Sequence, residues 1–159
     1  MNPLYYAGLI VAALAGGAAV FGHLRAPNTP RASEYPAGPI RIWAEQTVNQ
    51  GSFMVAVDAW RDIGWPILVT ESNPSVLFTT RPGLVLGGKA MCGIAHIRGD
   101  RVTVELVPGS DSLVIAHEMG HAFGFRHTRI APTGSLMAAG VERIGWNMRG
   151  LEYGGRDGR

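Results

Sequence analysis

The sequence has a single cysteine, a single lysine and little charge. One cysteine, Cys92, excludes an internal disulfide framework and a multi-cysteine zinc ribbon, so any bound metal must be held by histidine and carboxylate. Cys92 itself is expected to be a small buried hydrophobe. Lys89 is the only lysine among 14 cations; against 12 acidic residues this leaves a net charge of +2. No run of Lys or Arg concentrates that charge into a patch, so no nucleic-acid partner is expected. Charged residues make up 16%, below the usual level of about 25%, but the 47% hydrophobic fraction is ordinary. Such a chain builds a core rather than staying disordered. Its 159 residues suit one domain, at about 100–200 residues each, and leave little room for a two-domain enzyme.

Part of the apolar content is local. Residues 1–22 carry no charged side chain, and residues 4–21 are almost wholly apolar or small. About 20 helical residues span roughly 30 Å, the thickness of a bilayer core, so residues 1–24 are read as a signal peptide or a membrane anchor. Both fit, since Gly17-Ala18-Ala19 offers a small-residue cleavage site. The domain is expected to be secreted or membrane-anchored on the extracytoplasmic side, although Arg25 and Arg31 favour a cytoplasmic carboxyl side by a positive-inside count. Pro27, Pro30, Pro36 and Pro39 make residues 25–39 an extended linker, and the working domain is residues 40–159.

Within the domain, alternation predicts a strand over residues 40–48. Phe53, Ala56, Val57, Trp60 and Ile63 recur at helical spacing, with Gly64 as a stop. Residues 67–70 and 76–80 are strand candidates, Gly87-Gly88 marks a turn, and residues 91–97 and 101–107 read as a strand pair. This order predicts an α+β domain with a mixed, mainly parallel sheet packed against helices.

The chemistry is concentrated in one place. Ser110-Asp111-Ser112 supplies capping side chains for a helix that is apolar on nearly every side, hence buried and central. Into it are set His117, Glu118 and His121. Burying two imidazoles and a carboxylate is costly unless they are paired or bound to metal. His117 and His121 are four residues apart on one helix face, where both can reach one tetrahedral zinc ion. Glu118 is turned about 100° round the axis and stands beside the metal, in the place of a general base. A continued helix would carry His127 about 15 Å too far along the axis, but Gly124 can end it in a sharp turn that brings His127 back. With the chain's own residue frequencies, this pattern arises by chance in roughly 3 of 100,000 such sequences.

The string His117-Glu118-Met119-Gly120-His121-Ala122-Phe123-Gly124-Phe125-Arg126-His127 resembles the zinc signature of the metzincin metallopeptidases, and Gly134-Ser135-Leu136-Met137-Ala138 resembles their methionine turn. Gly93-Ile94-Ala95-His96 looks like the edge-strand segment of the matrixin branch, and Leu151-Glu152-Tyr153-Gly154 looks like the end of its last helix. The resemblance spans about residues 40–154. It implies a zincin-like fold, one catalytic zinc on His117, His121 and His127, Glu118 as base and Met137 as the floor beneath the metal. It further implies substrate binding along Gly93, Ile94, Ala95 and His96. Thr128 departs from the matrixin pattern, where Ser is common. Val102 and Val104 stand where a structural-zinc histidine would be, no carboxylate-rich calcium loop is present, and no thiol-bearing segment precedes the domain. A structural zinc, calcium and cysteine-switch latency are therefore not expected.

The function expected is a zinc endopeptidase, probing extended peptide or protein substrates as a monomer and hydrolysing them by Glu118-assisted attack of zinc-bound water. The alternative is a membrane-tethered zinc-binding or adhesion module without turnover.

Overall fold

A computed structural model describes residues 38–127, 134–140, 143–148 and 151–153. The expected membrane-directed segment and nearly all of the linker lie outside these residues, as does Thr128. Among the described residues, no helix is long and apolar enough to cross a membrane.

The chain opens with β1 (Ile40–Ala44), α1 (Gln50–Asp62), β2 (Ile67–Val69) and β3 (Val76–Thr80). A short hairpin, β4 (Val85–Leu86) and β5 (Lys89–Ala90), precedes β6 (Gly93–Arg98) and β7 (Arg101–Leu106). Then follow α2 (Ser112–Phe123), β8 (Phe125–Arg126) and β9 (Glu152–Tyr153). The five-stranded sheet has the order β2-β1-β3-β7-β6. Its first four strands run parallel and β6 runs antiparallel to β7 at the edge. The fold is α+β with a mixed, mostly parallel sheet and two helices, as the residue pattern predicts.

Strand alternation explains why the sheet is covered on one face. Ile40, Ile42, Ala44, Val76, Phe78, Val102, Val104 and Leu106 are buried, while the intervening Arg41, Trp43, Leu77, Thr103 and Glu105 are only partly so. The buried face shares one core with α1 and α2. Asn49 caps α1 by accepting from the Ser52 N–H at 3.1 Å, which ends the first strand at Ala44 rather than at residue 48. The α1 stripe of Phe53, Ala56, Val57 and Trp60 is buried as expected.

Trp60 ties the two helices together. Its indole N–H donates to the Ala116 carbonyl at 2.9 Å, and its rings pack against Trp65, Phe123 and Phe125 at centroid distances of 5.2–5.8 Å. Aromatic pairs of this geometry add about 0.5–1.5 kcal/mol beyond their buried area. The helix that carries the histidines is thus fixed from behind.

Two expectations are overturned. Residues Glu152–Tyr153 are not the end of a helix; they form β9, antiparallel to β8 with Phe125 opposite Tyr153. Gly150 and Gly154 flank this pair and weaken any helix there, whereas the backbone leaving α2 offers a ladder to join. Cys92 is exposed, because it sits on the approach to edge strand β6 rather than beneath the sheet.

Candidate metal centre

The Asp111 side chain accepts from the Val114 N–H at 2.9 Å and starts α2 where the capping residues predict. Nine of its twelve residues are buried, His117 and Glu118 among them. Gly124 ends it in the left-handed region at φ 102°, its N–H bonding back to the carbonyls of Gly120 and His121. A side chain at this φ is strained, so glycine is required for the reversal. Immediately after it, β8 carries the chain back and delivers His127 beside His121.

The three imidazoles converge on one point. His127 Nε2 lies 3.1 Å from His121 Nε2 and 3.2 Å from His117 Nε2. Two nitrogens on a tetrahedral zinc at about 2.0–2.1 Å are separated by about 3.3–3.4 Å, so these spacings fit one ion. The other ring nitrogens fix which atoms face inward. His117 Nδ1 is 2.6 Å from the Leu136 carbonyl and His121 Nδ1 is 3.0 Å from the Phe125 carbonyl. A carbonyl only accepts, so each Nδ1 carries the proton and donates it, and each Nε2 presents a lone pair to the centre. Converging lone pairs repel unless a cation lies between them. The three residues are therefore close enough, and correctly oriented, to hold a metal ion.

Burial tunes the same groups. It lowers His117, with the nearby His127 adding to the effect and the Leu136 hydrogen bond opposing it. It lowers His121 to about 4, helped by His117, and it lowers His127. Neutral imidazole is the form that binds metal. Burial also raises the Glu118 carboxyl to about 7. Among the described residues no hydrogen-bond donor meets this carboxylate, and it opens onto the cleft that holds the histidines.

That cleft has a volume of about 770 Å³ and is walled by β6, the β4–β5 hairpin, α2 and Gly140 with Ile144. Gly93, Ile94 and Ala95 line it, as the resemblance implies. His96 is not among the lining residues; its Nε2 lies 3.3 Å from Glu105 Oε2. Cys92 lines the cleft mouth.

Two close approaches hold the centre together. A Cβ on Gly93 would lie 2.5 Å from Glu118 Cγ and 2.7 Å from Cδ, so only glycine lets β6 pass over the carboxylate. A Cβ on Gly120 would lie 2.5 Å from Met137 Sδ, which places the fully buried Met137 against α2 one residue before His121. Neither contact, nor the Leu136 and Phe125 carbonyls as ring orienters, was legible from residue type. The glycines stand in the string and the edge segment, but nothing in the sequence says what they touch.

A scan against protein-family models gives no match, and a search of curated proteins also gives none.

Proposed function

We propose that this chain is a zinc endopeptidase of the metzincin kind, with a matrixin-like minimal catalytic domain. The observation that carries the reading is the convergence of three imidazole nitrogens in a cleft beside the buried carboxylate of Glu118, which has no hydrogen-bond donor among the described residues. A histidine cluster alone would serve a binding module equally well. The carboxylate, placed next to the cluster and without a hydrogen-bond partner among the described residues, favours turnover over the adhesion alternative.

His117, His121 and His127 would hold the ion, and Met137 would back the helix beneath them. Bound zinc supplies a Lewis acid that acidifies water and polarises a carbonyl. Glu118 takes a proton from the attacking water and hands it to the leaving amine. In the metal-free chain burial raises its carboxyl to about 7, and a bound cation beside it would draw it back toward the ionised form that a general base needs. The free edge of β6 offers backbone groups to an extended peptide, which would lie along Gly93 to Ala95 within reach of Glu118. With residues 1–24 in or across a membrane, the domain would work outside the cytoplasm as a monomer. Incubating the full chain, purified in mild detergent, with denatured proteins tests the reading. New internal amino termini should appear with zinc, vanish on chelation and return on repletion; none under any condition would overturn it.

The glycine at the carboxylate gives a sharper expectation. Gly93→Ala pushes the Glu118 carboxyl aside without touching a histidine, and a displacement of about 1 Å costs on the order of 100-fold in rate. Peptide assays should show hydrolysis falling by about tenfold to 100-fold at unchanged zinc content. Full activity would mean that Glu118 does not act from this position.

The pH dependence of metal binding follows from the lowered imidazoles. Their folded pKa values lie below the ordinary 6.5, so their contribution to native stability is present above that pH and is lost as pH falls through the lowered values, about 4 for His121. Protons accordingly compete for the ligands only in acid. Zinc affinity measured against a chromophoric chelator should be level from about pH 8 to about pH 6 and fall below about pH 5. A loss complete by about pH 6 would show ordinary imidazoles instead.

A further inference from the structure

The β4–β5 hairpin adds a feature that zinc chemistry does not use. It carries Lys89, the only lysine in the chain, and Lys89 lines the same cleft as the histidines and Glu118. None of the ion pairs among the described residues uses it. Among the described residues the other permanent cation on the lining is Arg126, which already has an interaction partner, so Lys89 is the cation left to meet a ligand. Among the described residues no carboxylate but Glu118 lines the cleft. Leu86 pairs with Lys89 across the hairpin, and both line the cleft and are exposed, so the ammonium is open to an incoming ligand.

From this geometry we propose that Lys89 makes the cleft selective for peptides bearing an acidic side chain within a few residues of the scissile bond. Lys89 is a specificity residue here, not a catalytic one, and the inference rests on the peptidase reading. Lys89 lies on the chain just before Gly93, whereas β6 runs from Gly93 away from it, so the hairpin marks one end of the cleft. An extended peptide centred on Glu118 would pass its flank beneath the hairpin, and an Asp or Glu there meets the ammonium. Charge recognition of this kind discriminates among partners and speeds their encounter more than it adds raw affinity.

The test uses the full chain with Glu118→Gln, so that peptides bind without being cut. Fluorescent peptides of one sequence carrying Asp, Asn or Lys at each position around a fixed central bond are titrated by anisotropy. The acidic peptide should bind about threefold to tenfold tighter than the neutral one at one or two positions on one side of that bond. The advantage should shrink in high salt, disappear with Lys89→Gln and invert with Lys89→Glu. In the cleaving protein, the ratio of kcat/KM for acidic over neutral peptides should move the same way. Equal binding at every charge, or an acidic preference that survives Lys89→Glu, would overturn the role of Lys89 while leaving the peptidase reading standing. Peptides of every charge failing to bind or to be cut would overturn the peptidase reading and this inference with it.

Discussion

Replacing Glu118 with glutamine should lower peptide cleavage by about 100-fold to 10,000-fold while one zinc per chain remains bound. The three nitrogens close enough to hold a metal ion all belong to histidine, so the substitution would leave that set intact. Glutamine keeps the shape that Gly93 accommodates and cannot exchange a proton with water or a leaving amine. A structural consequence separates this from simple damage to the site. In the metal-free chain the Glu118 pKa is raised from 4.5 to about 7, so the contribution of the protonated form is present below about 4.5 and is lost as pH rises through 7. Glutamine has no such loss. Thermal melts of the metal-free proteins should therefore coincide near pH 4 and diverge near pH 8, where the variant should be the more stable by up to about 3 kcal/mol. Retained cleavage in Glu118→Gln would remove the base from the mechanism, and a variant without zinc would show that the carboxylate holds metal.

His121→Ala should have the largest effect on the metal. His121 is the middle member of the cluster: its Nε2 meets His127, its ring stands 4.8 Å from the His117 ring, and its Nδ1 is held by the Phe125 carbonyl. Without it two imidazoles remain, and a tetrahedral ion loses a third of its protein ligands. Changes in groups that merely orient a ligand cost about 10-fold to 100-fold in affinity, so loss of a ligand itself should exceed 100-fold. Elemental analysis should find substoichiometric zinc. The melting temperature, which in the wild type should rise with added zinc because the ion binds only the folded form, should no longer respond. Zinc retained at full stoichiometry would place the ion elsewhere.

These outcomes depend on features of very different legibility. The convergence of His117, His121 and His127 could be read directly, because four-residue helical spacing and a helix-ending glycine are local rules that the chain obeys: α2 is capped at Asp111 and ends at Gly124. The mixed sheet was readable from alternation in β1, β3 and β7. What pattern could not supply was contact between distant segments. The Leu136 and Phe125 carbonyls that set the tautomers are backbone groups and leave no trace in residue type. Gly93 and Gly120 look like ordinary small residues until β6 and Met137 are seen against α2. The resemblance groups His96 with Gly93, Ile94 and Ala95, but only those three line the cleft, while His96 meets Glu105. Cys92 looked like core because free cysteine usually is buried, and the edge position of β6 overrode that tendency. Residues 152–153 followed the wording of the last matrixin helix, yet pairing with β8 made them a strand.

The proposed zinc site is built from three histidines, with a position left open to water and substrate. X-ray absorption at the zinc edge of the full chain measures this directly. Such a site gives a first shell of nitrogen and oxygen only, at about 2.0–2.1 Å, with the outer-shell pattern of three imidazoles and one light ligand more. A sulfur scatterer at about 2.3 Å, which only Cys92 or a methionine could supply from this chain, or an absence of bound zinc in protein that folds, would contradict it.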